Sequence, residues 1–174
     1  MIYAFEGTRP TIHPSAYIAP EATIIGDVSI GADANIWPGA VIRADVGRIT
    51  IGARTNIQDG TVIHVDTGEE TVIGADVTVG HMAMVHSCRI DDACLIGMSA
   101  TVLSRSRVGE ASIVGGGAVV LEGQEIPPYS VAAGVPATVR KQLEQDSRAD
   151  RVAHAAGYVR LGQRHREGLT QHEV

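Results

Sequence analysis

Aromatic residues are scarce in this chain: Phe, Trp and Tyr together make 3% of its 174 residues, with a single Trp and a single Phe. The apolar share rests instead on Ile, Val and Ala, alongside 20 Gly, a balance that favours strands over packed helices. No Lys/Arg block interrupts a formal net charge of −6, so the electrostatic footprint for nucleic acid or an anionic membrane is missing. No apolar run approaches the ~20 residues of a membrane span. Residues 1–6 show neither the basic n-region nor the apolar h-region of a secretion signal, and the expected compartment is the cytoplasm. Cysteine is nearly absent too. Cys88 and Cys94 are too few for a disulfide framework and fall at equivalent places in the repeat below, so they read as reduced core residues.

What is present is a period of six. Ile12, Ile18, Ile24, Ile30, Ile36 and Ile42 form one run, then Ile51, Ile57 and Ile63, then Ile73, Val79 and Val85. Ile90, Ile96, Val102, Val108, Val114, Val120 and Ile126 complete the series, usually with a small residue two places before each marker. Neither a helix nor a hairpin sheet gives this spacing; a coil of short parallel strands does, with the markers stacked inward rung upon rung. Three extra residues before Ile51 and four before Ile73 are expected to loop outward, and the step from Val85 to Ile90 is one residue short. The reading is one domain: a repeat coil over residues 1–138, then a charge-rich segment over 139–174. In that segment Val139, Leu143, Val152, Val159 and Leu161 predict one or two amphipathic helices covering the coil, with Gly157 and Gly162 as weak points and fraying from Gly168.

On a coil of three faces every third marker returns to the same face. Arg43, His64 and His86, each directly after its marker, then form an outward column with rungs about 4.8 Å apart. Asp59 and His81 stand on the preceding face, so His81 cannot turn onto the other two histidines within one chain. Its place in a shared site implies a neighbouring subunit, and a closed trimer suits a three-faced prism. Three imidazoles with an open fourth position suit catalytic zinc, which lowers the pKa of a coordinated water to about 7. Asp45, Asp59 and Gln58 lie in register to orient such a site. His13, His154, His165 and His172 read as solvated surface residues.

The motifs Arg43-Ala44-Asp45, Asn56-Ile57-Gln58-Asp59-Gly60, Val62-Ile63-His64, Gly80-His81, Val85-His86 and Leu95-Ile96-Gly97-Met98 closely resemble the γ-class carbonic anhydrase family, over roughly residues 8 to 140. The resemblance implies an all-β, left-handed parallel β-helix of hexapeptide repeats with a C-terminal α-helical segment. It implies a homotrimer holding zinc, or iron or cobalt, through His64, His81 and His86 drawn from two subunits. It assigns Gln58 to orienting the reactive water, Tyr158 to a position projecting toward the metal, and Arg43, Asp45 and Asp59 to an interface charge network, with Arg43 near a bicarbonate site. Asp45 is taken with Gln58 and Tyr158 as the catalytic set. Two departures stand out: Val46 occupies the place of a proton-transferring glutamate, and the acidic loop after His64 is cut to Asp66-Thr67-Gly68-Glu69-Glu70. Asp66, Glu69 or Glu70 would have to replace that proton path.

The expected activity is therefore reversible hydration of carbon dioxide to bicarbonate by a zinc-dependent lyase. Two other classes fit the coil: an acyl-CoA thioesterase or hexapeptide acyltransferase, and a non-catalytic trimeric binding protein stabilised by its metal.

Overall fold

Each six-residue unit carries too little apolar surface to hold itself together, and stacking supplies what it lacks. In the computed structural model, which describes residues 1–170, the chain winds as a left-handed parallel β-helix with three sheet faces. The first face stacks residues 23–26 and 41–44, then Val62–His64, Met84–His86, Thr101–Val102 and Val119–Val120. The second stacks Thr11–Ile12, residues 28–30 and 48–51, then Glu70–Ile73, Arg89–Ile90, Arg107–Val108 and Glu125–Ile126. The third runs from Tyr17–Ile18 through Asn35–Ile36, Asn56–Ile57, Thr78–Val79, Leu95–Ile96 and Ile113–Val114 to Ser130–Ala133.

The markers point inward as the period demands. Ile24, Ile42, Ile63, Val85, Val102 and Val120 form a wholly buried ladder on the first face, each contributing on the order of 1.5–3 kcal/mol relative to exposure. Cys88 and Cys94 are free and buried in the same core, and burial pushes both thiols up to about 12. Rungs approach so closely at the corners that a Cβ on Gly52 would lie 2.4 Å from the carbonyl carbon of Gly74.

The irregularities depart in part from expectation. The first insertion does not loop out: Val41–Ile51 is one strand, in which Ala44 pairs with Gly26 and Ile49 with Val28. The added residues are taken up as a bulge at a corner, because the strand regains its partners on the second face. The second insertion does leave the coil, as a turn between Val62–His64 and Glu70–Ile73. The missing residue is absorbed at Ser87, which takes a φ of 44° although it is not glycine.

The C-terminal segment is not helical from its start. Thr138–Gln142, which includes Val139, lies antiparallel to Ser130–Ala133 and occupies the sheet edge that the last rung would otherwise leave open. One continuous helix, α1, follows over Arg148–Gly168 and packs on the third face. Gly162 is a contact rather than a weakness: a Cβ there would stand 3.3 Å from the Cβ atoms of Asn35 and Tyr17. Tyr158 and His165 meet the Trp37 ring edge-on, with centroids 5.8 and 5.0 Å away. Most of the tail expected to fray falls on residues 171–174, outside the described residues. Among the described residues no helix is long and apolar enough to cross a membrane.

Candidate functional site

The pairing register that buries Ile63 against Ile42 also sets His64 beside His86 on the outside of the first face. Their rings tilt at 46°, and His64 Nδ1 stands 3.0 Å from His86 Nε2. The outer edges are held as well. His64 Nε2 lies 3.1 Å from Asp45 Oδ1, and His86 Nδ1 lies 3.0 Å from Ser104 Oγ, whose hydroxyl donates to Asp66 Oδ2 at 2.9 Å. Both ends of this chain are carboxylates, which only accept. The Ser104 proton therefore goes to Asp66, the His86 Nδ1–H to Ser104 and the His64 Nε2–H to Asp45. The two inner nitrogens are left facing each other as lone pairs.

In these tautomers two imidazoles and one hydroxyl bring three protons to four contacts, and the contact between the rings is the one that could hold a cation. Its span suits a metal: two nitrogens each ~2.0–2.1 Å from one tetrahedral zinc lie about 3.3 Å apart. Arg43 forms an ion pair with Asp45 Oδ2. Partial burial works to raise the Asp45 pKa, but the hydrogen bonds from Arg43 and His64 outweigh it and hold the carboxyl below its usual range. The Asp66 carboxyl is also held low, first by the Ser104 hydrogen bond and further by the one from Ser87, against a desolvation cost.

His81 stands apart, at the corner after Thr78–Val79 on the third face. Its Nδ1 lies 2.8 Å from Asp59 Oδ2, which fixes that edge as the N–H and leaves Nε2 with its lone pair. Its main-chain N–H donates to Gln58 Oε1 at 3.2 Å, and Gln58 Nε2 donates to Asn56 Oδ1 at 3.0 Å. Asn56 Nδ2 in turn donates to Thr78 Oγ1 at 2.8 Å, and that oxygen lies 3.1 Å from His154 Nδ1 on α1. Tyr158, also on α1, has its phenol pKa raised by burial and then by the charge of Asp59. Its ring packs against Trp37 and His154, and the Asp59 charge is what links it to the His81 group.

The expected residues therefore gather as two half-sites. Arg43, Asp45, His64 and His86 share one corner and Gln58, Asp59 and His81 another, while Tyr158 stands on α1 between Trp37 and His154. Among the described residues of one chain, no three His, Cys, Asp or Glu side chains converge as a metal-holding group. His13 is exposed, its ring against Ser15. His154 is exposed as expected, though its Nδ1 lies 3.1 Å from Thr78 Oγ1; His165, expected to be solvated, is half-buried against Trp37, and His172 lies outside the described residues. Ser104 and Ser87 escaped the sequence reading, since their contacts follow from where the inserted turn lands. The one available signal was the five-residue step from Val85 to Ile90, which marks Ser87 as out of phase.

A family model described as bacterial transferase hexapeptide (six repeats) matches residues 9–44. The chain is similar to the Geobacillus kaustophilus protein named carbonic anhydrase, at 40% identity over 94% of this chain and 90% of that one. It is similar, again at 40% identity, to the carnitine operon protein CaiE of Proteus sp., over 98% and 86% of the two chains. A solved structure of a hexapeptide transferase family protein from Anaplasma phagocytophilum matches with a TM-score of 0.89 and 34% identity, over 94% of this chain and 96% of that one.

Proposed function

The chain belongs to the γ-class carbonic anhydrase-like family of hexapeptide-repeat proteins, and on that premise we propose that it is a metal-dependent lyase interconverting carbon dioxide and bicarbonate. The observation that carries this reading is the pair of opposed imidazole lone pairs, 3.0 Å apart, with both outer nitrogens committed to bonds that end on carboxylates. An acyl-transfer base needs one histidine and no such pair. His81 is the third ligand, reaching the pair from a neighbouring subunit of a homotrimer. Zinc is the expected ion, with iron or cobalt as substitutes, and when bound it supplies Lewis acidity and a water acidified to near neutrality.

The chain's own groups do the rest. Asp45 and Asp59 hold His64 and His81 in the tautomers that offer lone pairs. Gln58 is buried and spans from Asn56 to the His81 main chain, so its amide is fixed where it can orient the reacting water. Arg43 keeps guanidinium N–H groups beyond its Asp45 bond to meet the bicarbonate anion. Tyr158 is the residue α1 contributes, its phenol within the influence of the Asp59 charge.

The uncovered first face supports the trimer. One outward column, Val41, Val62, Met84, Thr101 and Val119, is apolar or uncharged beside the column of Arg43, His64 and His86, and Met82 and Met98 nearby are exposed. By contrast the second face carries Arg89, Arg107 and Glu125, and α1 covers part of the third. The cytoplasm is the compartment this reading assumes.

The test is metal content of the trimer as purified without chelators, followed by stopped-flow hydration of carbon dioxide. About one equivalent per chain with hydration above buffer background is the expected result. Fewer than about 0.3 equivalents sinks the metal centre, and a loaded protein without hydration sinks the lyase.

A further inference from the structure

We propose that Ser104 and Asp66 are positioning residues that lock His86 as a metal ligand, Asp66 acting through the Ser104 hydroxyl. This role rests on the metal-centre reading above and extends it to residues outside the expected set. His86 Nδ1 meets Ser104 Oγ at 3.0 Å, Ser104 Oγ donates to Asp66 Oδ2 at 2.9 Å, and Asp66 itself approaches His86 Nδ1 only to 3.6 Å. The hydroxyl is therefore the link. A hydroxyl can both donate and accept, and the carboxylate beyond it decides which. With its proton given to Asp66, Ser104 must accept from His86 Nδ1, so His86 Nε2 keeps its lone pair aimed at His64.

The arrangement is built rather than incidental. Ser104 is 5% exposed, and Ser87, 2% exposed, holds Asp66 in place by accepting from its main-chain N–H at 2.6 Å and donating to Oδ2 at 3.2 Å. Asp66 is thus engaged by two hydroxyls on the same oxygen. An acid in that position serves to hold a ligand, which removes it from the residues that would replace the missing proton path.

The test uses the full trimer with Ser104→Ala, Ser104→Thr and Asp66→Asn, and Glu122→Gln as a surface control. Cobalt affinity is measured by chelator competition, together with the visible absorption of the cobalt-loaded protein. The slowly exchanging His86 Nδ1–H resonance is followed in the zinc-loaded, nitrogen-15-labelled protein, assigned by its loss in His86→Gln. Ser104→Ala and Asp66→Asn are expected to weaken metal binding about 10- to 100-fold and to speed exchange of that proton. Ser104→Thr keeps the hydroxyl and restores both, and Glu122→Gln changes neither.

Normal cobalt uptake by the wild type with the same affinity, spectrum and exchange in Ser104→Ala overturns the positioning role alone. An Asp66→Asn variant that binds cobalt normally but turns over only with added imidazole buffer overturns it in favour of proton transfer. Failure of the wild type to take up cobalt or zinc overturns the metal centre and this role with it.

Discussion

Ser87 and Asp66 hold each other by two hydrogen bonds, at 2.6 Å from the Asp66 main-chain N–H to Ser87 Oγ and at 3.2 Å from that hydroxyl to Asp66 Oδ2. Asp66 belongs to the turn inserted after His64, and Ser87 is the residue where the repeat runs one short after His86. The two flaws in the period meet beside the paired histidines.

Removing that junction has a graded effect. Ser87→Ala deletes both bonds and keeps the positive φ, so it is expected to cost ~1–3 kcal/mol and to lower metal affinity. Ser87→Gly loses the same bonds but relieves the backbone, and its cost should be smaller. Urea unfolding of the two variants decides: equal midpoints would mean that the φ of 44° carries no strain.

The ladder behind the site should be sensitive to truncation. Ile63 is fully buried between Ile42 and Val85, one residue before His64. Ile63→Ala is expected to destabilise by ~2–5 kcal/mol. Val46→Ala, at a side chain 44% exposed, should stay within about 0.5 kcal/mol. Chemical denaturation of the two variants side by side measures the contrast.

Division of the site between subunits can be tested by complementation. His64→Ala and His81→Ala chains are each expected to bind no metal as pure trimers. Unfolded together in equal amounts and reassembled, they should regain about a quarter of the wild-type sites, because a site is whole only where the two intact halves adjoin in a closed ring. Recovery of none would refute the cross-subunit assignment of His81.

Thiol chemistry reports on the core. Burial pushes Cys88 and Cys94 up to about 12, whereas the same thiols ionise near 8.5 in an unfolded chain. The unfolded state therefore releases protons first as pH rises, so this contribution is intact below about 8.5 and is lost progressively from there toward 12. Native protein at pH 8 should give no reaction with a thiol reagent and full titration of both cysteines in denaturant. Rapid labelling of the native protein would place a cysteine at the surface.

Much of this was legible in the sequence. The six-residue spacing predicted the stacked ladders, and counting markers by threes set His64 beside His86 and sent His81 to another face, as the strand registers show. What was not legible depends on contacts remote in the chain. Val139 stands at helical spacing from Leu143, yet the open edge at Ser130–Ala133 offers main-chain partners and takes Thr138–Gln142 as a strand. Gly162 looks like a helix flaw until the Tyr17 and Asn35 side chains are seen against it. Ser104 has no motif at all; its role comes from the turn that carries Asp66 across to it.

A stack in which each rung touches only its neighbours comes apart from its ends, as a zipper does. The rungs bearing His64, His81 and His86 lie in the middle of the stack, with Tyr17–Ile18 and Asn35–Ile36 below Asn56–Ile57 and Thr78–Val79, and three parallel rungs beyond them on the third face. Fraying at either end therefore leaves the histidines in register. Main-chain amide exchange should be slowest around Ile57, Ile63, Val79 and Val85 and quicken toward both ends of the coil. The histidines stand on the last part of the chain to let go.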